Sequence, residues 1–294
     1  MVTLSIIIPI LNEEKNLACF LENYKSQTKK ADELIFVDGG SKDNSINYLR
    51  ENQKTFPEIK IYNCKKKGPA AARNYGLEKA KSQYVIFMDA DWRLLDRSVL
   101  HKIYEIIKAN PKVDFIGIGI SYRPIKKLVN FSYLRKLIYY RDEPFSFHII
   151  KKNICPRYDE SLGYGEDKLF SKELYHNKKY ISLTKNIGVS RAIGDMNFYK
   201  FCRRYVWYGR TIPYYIIKTK DFKLLLASII SVISIIPVLW IIPFLKGLLT
   251  GIRYIKDGMD IPLGLGLLEI IVTYCVILGY LQWIFGIREI SRDL

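Results

Sequence analysis

Apolar residues recur in two patterns along this chain, and the pattern changes character near residue 195. In the first part, short and nearly unbroken apolar runs alternate with stretches whose apolar positions recur every three or four residues. Leu4-Ser5-Ile6-Ile7-Ile8-Pro9 reads as a buried strand, and Leu17, Phe20, Leu21 and Tyr24 follow at helical spacing. Glu33-Leu34-Ile35-Phe36-Val37 predicts a second strand. It ends at Asp38-Gly39-Gly40-Ser41, a turn that glycine makes sterically accessible, and a helix capped within residues 41–43 follows. Ile59-Lys60-Ile61-Tyr62 predicts a third strand, residues 68–81 a helix, and Tyr84-Val85-Ile86-Phe87-Met88 a fourth strand running into Asp89-Ala90-Asp91. Strands apolar on both faces with helices between them predict an α/β domain built on a mainly parallel sheet, covered on both sides. Ligands of such sheets bind outside the carboxyl ends of the strands. The turns at Asn12, Asp38 and Asp89 all lie at such ends, so topology by itself predicts one ligand site made from the three.

The tail reads differently. Residues 224–245 contain no charged side chain, and residues 261–286 are interrupted only by Glu269. Each run is long enough, at about 1.5 Å per helical residue, to cross a hydrocarbon core of about 30 Å. A soluble helix of this length keeps a polar face. Pro237 and Pro243 are better tolerated in a membrane helix, and Trp240, Tyr280 and Trp283 suit the interface. The expected organisation is an α/β domain over residues 1–195, an interfacial helix or linker over 196–223, and two transmembrane helices within 224–294, at about 224–245 and 261–286. Lys218, Lys220 and Lys223 precede the first run and Arg288 and Arg292 follow the second, against Lys246, Arg253 and Lys256 between them. That bias puts both ends on the cytoplasmic side of a multi-pass cell-membrane protein. A shallow re-entrant hairpin is the other arrangement the runs allow.

Composition sharpens this division. The chain has 294 residues, 49% hydrophobic and 26% charged, which excludes a disordered chain, and its 5 Cys exclude a disulfide-stapled mini-protein. The cysteines are scattered with no CxxC and the 3 His form no ligand pattern, so a zinc site is not expected and a reducing compartment is. No basic stretch precedes the apolar residues 3–11, which read as a strand and not a leader. The net charge is +17, yet residues 224–294 carry equal numbers of acidic and basic side chains, so the whole excess belongs to residues 1–223. Such an excess suits nucleic acid or an anionic membrane surface.

Several turns carry candidate chemistry. Asp89 and Asp91, one residue apart at a strand end, can hold a hard divalent cation that bridges phosphate oxygens, or simply start the next helix. Gly68-Pro69-Ala70-Ala71-Ala72-Arg73-Asn74 opens a helix with small residues that permit close approach of an anion, and Arg73 can fork two phosphate oxygens. Glu166-Asp167, after Gly163-Tyr164-Gly165, supplies carboxylates suited to general-base work or to a helix N-terminus. Residues 131–140 and 198–217 are aromatic and basic at helical spacing. Phe198, Phe201, Tyr205 and Tyr208 form one stripe there, which beside membrane spans reads as a surface at the bilayer interface.

Taken in order, Pro9-Ile10-Leu11-Asn12-Glu13, Val37-Asp38-Gly39-Gly40-Ser41-Lys42-Asp43, Gly68 to Gly76 with Ala72-Arg73-Asn74, Asp89-Ala90-Asp91, and Tyr158-Asp159-Glu160-Ser161-Leu162 with Gly165-Glu166-Asp167 resemble glycosyltransferase family 2, the inverting transferases with the Rossmann-like GT-A fold. The resemblance covers about residues 1–190 and implies a fold, a reaction and roles. Pro9, Asn12, Glu13, Asp38, Gly68, Arg73 and Asp89 would bind the nucleotide sugar, with Asp38 facing the base and Arg73 touching the nucleotide. Asp91, with Asp89, would hold Mg²⁺ or Mn²⁺. Asp167, with Glu166 beside it, would be the catalytic base. The partners implied are a nucleotide-diphosphate sugar and, given the membrane tail, a lipid-linked acceptor: a polyprenyl phosphate, a lipid-linked glycan or a glycolipid, with no nucleic acid.

Two departures bear on this. Gly39 stands where the family commonly has a second Asp. The QxxRW pattern of processive synthases is absent, and Arg203-Arg204-Tyr205-Val206-Trp207-Tyr208-Gly209-Arg210 stands in its neighbourhood. Transfer of one sugar is therefore expected, with Arg203, Arg204, Trp207 and Arg210 as candidates for holding an acceptor or a phosphate. A second reading is a non-catalytic basic protein that docks membrane surface or nucleic acid. It accounts for the charge but not for the ordered carboxylate turns. A nucleotidyltransferase would carry a Gly-rich, basic loop where Pro9 to Glu13 stand.

Overall fold

The computed structural model describes residues 2–66, 68–118, 147–162, 165–176, 178–183, 187–191, 198–233, 240–252 and 261–285. Residues 131–140, Gly163 and Tyr164, Pro237, and the flanking charges Arg253, Lys256, Arg288 and Arg292 lie outside them. The described residues form two compact units. One comprises those up to residue 118 with 147–161 and 166–191, and the other comprises 162, 165 and those from 198 onward.

In the first unit a seven-stranded sheet has the order β3-β2-β1-β4-β7-β6-β8. The strands are β1 (Leu4–Ile10), β2 (Glu33–Asp38), β3 (Ile59–Asn63), β4 (Tyr84–Phe87), β6 (Phe115–Ile118), β7 (Phe147–Lys151) and β8 (Tyr180–Leu183). Strands β3, β2, β1 and β4 run parallel in the expected way, with Ile8 beside Phe36 and Ile6 beside Ile86. The sheet is mixed beyond them, because β7 pairs antiparallel with both β4 and β6. A short ribbon, β5 (Trp92–Leu94) with β9 (Val189–Arg191), stands apart from the sheet and was not legible as strand.

The side-chain alternation of β1 explains why its sequence is apolar at every position but Ser5, whose hydroxyl donates to Glu33 Oε2 at 2.6 Å. Leu4, Ile6, Ile8 and Ile10 enter one core with Leu17, Phe20, Leu21 and Tyr24 of α1 (Glu14–Lys25), Leu49 of α2 (Ser45–Asn52), and Leu100, Ile103 and Ile107 of α4 (Val99–Ala109). Ile7 faces the other way, into a core with Ala70, Ala71, Ala72 and Leu77 of α3 (Pro69–Lys79) and Phe170 and Leu174 of α5 (Glu166–Tyr175). Helices α3 and α5 therefore share one face of the sheet, and this puts Arg73 and Glu166 within reach of each other. Helix α2 is preceded at its cap position by Asn44, one residue beyond the predicted stretch, but Asp43 still serves its first turn. Asp43 Oδ1 accepts the Ser45 N–H at 3.0 Å and the Ser45 hydroxyl at 2.5 Å.

The second unit is helical: α6 (Phe198–Thr219), α7 (Phe222–Ile233), α8 (Ile241–Ile252) and α9 (Ile261–Ile284). Helix α9 is its hub. Cys202 meets Cys275 and Tyr214 meets Trp283, so α6 runs parallel to α9. A Cβ on Gly209 would lie 2.0 Å from the Val276 carbonyl, so only glycine allows that crossing. Trp240 meets Tyr274 and Lys246 meets Glu269 at 3.3 Å, so α8 is antiparallel to α9.

Among the described residues one helix, Leu263–Ile284, is long and apolar enough to cross a membrane. The run 224–245, expected as one span, falls on two helices of 12 residues each, with 234–239 between them outside the described residues. The aromatic stripe of α6 is only partly turned inward. Phe201 is 1% exposed and packs ring to ring with Tyr205, which meets Tyr208 in turn; Tyr205 and Tyr208 are half-buried, and Phe198 is exposed.

Helix α3 lies against β1 so closely that a Cβ on Gly76 would come within 2.4 Å of Ile7 Cγ2, a branched group fixed in a buried strand. Gly76→Ala is expected to destabilise the protein by about 1–3 kcal/mol in denaturant titrations, the overlap outweighing alanine's better helix propensity.

Candidate active site

The turn after β1 is built by hydrogen bonds to the turn after β2. Asn12 has a left-handed backbone (φ 55°). Its N–H donates to Ser41 Oγ at 2.9 Å, and its Oδ1 accepts the Lys42 N–H at 2.8 Å. The Glu13 N–H donates to Ser45 Oγ at 2.9 Å, and the Glu14 N–H to Asp43 Oδ2 at 3.1 Å. Ser41, read in the sequence as part of a turn, and Ser45, which motif reading passed over, are thus structural parts of the site. Asp38, 4% exposed, accepts both the Ser41 N–H (3.0 Å) and the Ser41 hydroxyl (2.6 Å) on Oδ1, so it shapes the turn that carries it. Gly40 needs its glycine (φ 99°), but Gly39 does not: a Cβ there would make only ordinary contacts, 3.6 Å from the Ile10 carbonyl. The departure at Gly39 is not forced by the backbone. Pro9 sits within β1 beside Val37 and feeds this turn.

The turn after β4 carries Asp89-Ala90-Asp91 and is braced by Arg93 on β5. Arg93 Nη1 donates to the carbonyls of Ala90 (3.2 Å) and Trp92 (3.0 Å), and Nη2 to Asn16 Oδ1 (3.4 Å). Asn16 in turn donates to Glu13 Oε2 at 2.7 Å. Burial, followed by the charges of Asp91, Asp89 and Asp43, raises the Glu13 pKa above the usual value, against the lowering effect of the Asn16 hydrogen bond. The β1 and β4 turns therefore bring carboxylates together.

Arg73 joins these turns to α5. Gly68 (φ 104°) turns the chain into α3, Pro69 opens the helix, and the buried alanines let it sit low on the sheet. The Arg73 side chain, 14% exposed, donates from Nη2 to Asp89 Oδ1 at 2.8 Å, and its Nη1 lies 3.9 Å from Glu166 Oε1. Burial alone would lower its pKa, but the charges of Asp89, Tyr158 and Glu166 outweigh burial and hold it above the ordinary arginine value. Glu166 is buried and Asp167 beside it is exposed at the start of α5, where a carboxylate faces the positive end of the helix dipole.

Pro9, Asn12, Glu13, Asp38, Gly68, Arg73, Asp89, Asp91, Glu166 and Asp167 thus all belong to the first unit. Arg203, Arg204, Trp207 and Arg210 lie on α6 in the second, where Arg203 stacks over the Tyr199 ring at 5.7 Å and Trp207 packs on Tyr208. Among the described residues no three His, Cys, Asp or Glu are arranged to hold a metal ion by themselves. Two aspartates at a strand end still fit Mg²⁺ or Mn²⁺ of the kind that takes its remaining ligands from phosphate and water.

Residues 5–156 match a family described as Glycosyl transferase family 2. The cholesterol galactosyltransferase of Borreliella burgdorferi is 32% identical over 106 residues, 36% of this chain and 29% of that protein. The minor teichoic acid biosynthesis protein GgaA of Bacillus subtilis is 27% identical over 197 residues, 60% of this chain and 44% of that protein. This chain therefore spans less than half the length of these curated relatives. A mannosyltransferase from Pyrobaculum calidifontis, solved with GDP-Man and Mn²⁺, superposes with a TM-score of 0.61 at 15% identity, covering 97% of this chain and 88% of that one, a likeness of fold.

Two outcomes test the electrostatics. Arg73→Met leaves Asp89 and Glu166 without their shared cation and is expected to cost about 3 kcal/mol in denaturant unfolding. Glu13→Gln is expected to raise the melting temperature at pH 7. An acid whose pKa is higher in the folded state costs stability above that pKa, and the cost vanishes as the pH falls through it. The gap between variant and wild type should accordingly close in acid, as read by thermal unfolding across a pH series.

Proposed function

The chain belongs to glycosyltransferase family 2, and we propose that it transfers a single sugar, with inversion, from a nucleotide-diphosphate sugar to a lipid-linked acceptor at a membrane. The observation that carries the reading is the convergence of three strand-end turns with α5 through Arg73, whose guanidinium spans Asp89 and Glu166. Nucleic-acid docking would have no use for that arrangement. Two relatives, a cholesterol galactosyltransferase and a minor teichoic acid biosynthesis protein, support an acceptor that is lipid or lipid-linked.

In the proposed reaction the donor lies across the ends of β1, β2 and β4, with its base towards Asp38 and its diphosphate towards Gly68 and the Asp89-Asp91 turn. Asp167 is the base: it is exposed to an incoming acceptor while Glu166 is tied inward to Arg73. It takes the proton of the acceptor hydroxyl as that oxygen bonds to the anomeric carbon and the nucleoside diphosphate leaves with the electron pair of the broken C–O bond. Mg²⁺ or Mn²⁺ on Asp91 and Asp89 would neutralise charge growing on the diphosphate. Arg73 holds Asp89 by a hydrogen bond and offers its charge to Glu166.

The helical unit serves as the membrane attachment. Its exposed surface is rich in large apolar side chains, including Leu225, Leu226, Ile241, Leu245, Leu249, Leu267, Leu278 and Leu281. Helix α9 crosses the bilayer, α8 lies antiparallel to it, and the catalytic unit faces the cytoplasm. Arg203, Arg204, Trp207 and Arg210 on α6 are proposed to meet a phosphate-bearing acceptor.

The test is a nucleotide-sugar screen with Mn²⁺, followed by transfer to detergent-solubilised polyprenyl phosphate and glycolipid. Asp91→Ala should abolish transfer and cation-dependent binding of the donor. Asp167→Asn should reduce kcat by roughly a hundredfold or more for a hydroxyl acceptor. Substantial residual activity would instead identify the acceptor as a phosphate, which needs no strong base. Equal transfer to water-soluble acceptors, with lipid ones ignored, would overturn the acceptor assignment.

A further inference from the structure

Asn74 follows Arg73 on α3, is buried, and has no role in the chemistry described so far. Its carboxamide grips one residue in two directions: the Tyr158 N–H donates to Asn74 Oδ1 at 2.8 Å, and Asn74 Nδ2 donates to the Tyr158 carbonyl at 2.8 Å. This is the pattern one strand offers another, made here by a side chain. The same Nδ2 reaches Glu160 Oε1 at 2.9 Å, and Glu160 Oε2 accepts from Lys66 Nζ at 2.9 Å. These two hydrogen bonds, from Asn74 first, hold the Glu160 pKa below its usual value.

Tyr158, so gripped, acts as a wedge against α5. Its ring stacks on Phe170 with centroids 4.1 Å apart and planes within 6°, meets the edge of Phe87 at 5.2 Å, and lies 5.1 Å from the Arg73 guanidinium. Phe170 stands one helical turn beyond Glu166 and Asp167. The direct link from α3 to the start of α5, Arg73 to Glu166 at 3.9 Å, is too long for a hydrogen bond and tolerates drift. The Asn74 grip is short, buried and directional, and is the tighter constraint.

We propose that Asn74 is a positioning residue for sugar transfer: by fixing Tyr158 against Phe170 it sets where the Glu166-Asp167 pair stands relative to Asp89 and Asp91. The role rests on the transferase reading of the same site. Only a carboxamide of this length both donates and accepts here. Alanine would leave the Tyr158 N–H and carbonyl without their partner, and a shift of about 1 Å between reacting groups costs up to roughly a hundredfold in rate.

The experiment uses the full chain in lipid nanodiscs. Asn74→Ala is expected to lower kcat for transfer by roughly tenfold to a hundredfold while the Kd for UDP or GDP with Mn²⁺, by titration calorimetry, stays within about twofold. Hydrogen exchange gives a readout that does not need turnover. Amides of residues 158–170 should exchange at least about tenfold faster in the variant, and those of residues 84–91 should be unchanged. If kcat and nucleotide affinity fall together, or if exchange across 158–170 stays at the wild-type rate, the positioning role is wrong. Should Asn74→Ala not fold, Asn74→Asp, which keeps the acceptor for the Tyr158 N–H but replaces the donor by a carboxylate oxygen facing the Tyr158 carbonyl and Glu160, must show the same split. A wild-type chain that binds no nucleotide and transfers no sugar overturns the transferase reading instead, while the exchange data still decide whether Asn74 holds α5.

Discussion

A guanidinium shut away from water is tolerable only where carboxylates face it, and Arg73 finds two, Asp89 from the end of β4 and Glu166 from the start of α5. The requirement is mutual. Asp89 sits among other acids, where burial and like charge already raise the Glu13 pKa, and a turn so loaded needs a cation beside it. Satisfying both sides draws together two elements far apart in the chain, so that one ion cluster brings the turn after β4 and the start of α5 to the same guanidinium. Helix dipole, turn geometry and burial then act on groups that are already placed.

That cluster would have no definite position if α3 could slide. It cannot, because α3 touches β1 through Gly76 and the sheet face through Ala70, Ala71 and Ala72. Small residues sacrifice side-chain burial for backbone proximity. The exchange is worth making where the next residues, Arg73 and Asn74, must reach across to Asp89 and Tyr158 with side chains of fixed length. The interlocked turns after β1 and β2 work by the same logic: Ser41 and Ser45 accept from the Asn12 and Glu13 backbones, and their hydroxyls are held in turn by the Asp38 and Asp43 carboxylates.

How much of this was legible follows from which interactions are local. The strands β1, β2 and β4 and their ends could be read because a strand buried on both faces is apolar at nearly every position and stops at a turn residue, and Asn12, Asp38 and Asp89 are such stops. The insertion of antiparallel β7 between β4 and β6 could not, since strand order is set by pairings between distant segments. Asn74 and Tyr158 were quoted as motif letters, yet nothing in an Asn one residue after an Arg reveals that its partner is a backbone amide 84 positions away. Nor did an aromatic stripe on α6 say whether it faced lipid or its own rings, because helical spacing defines a face but not what covers it. The structure turns Phe201 inward.

The tail shows the same limit in terms of length. Apolar run length predicted two spans, at about 224–245 and 261–286. Helix α9, with 24 residues, is about 36 Å long, enough for a hydrocarbon core, while the described part of α8 has 12 residues and is about 18 Å long. Glu269, the one acid in the second run, is 2% exposed and faces Lys246 on α8, whose side chain stays 60% exposed. A buried acid in an apolar helix requires such a partner, and a long lysine stem lets the charge reach a wetter level than the carbon that carries it. The pair therefore ties α8 to α9 at one depth. What reads in the sequence as a flaw in a membrane span is, in the folded unit, the polar contact that sets the register of its two most closely packed apolar helices.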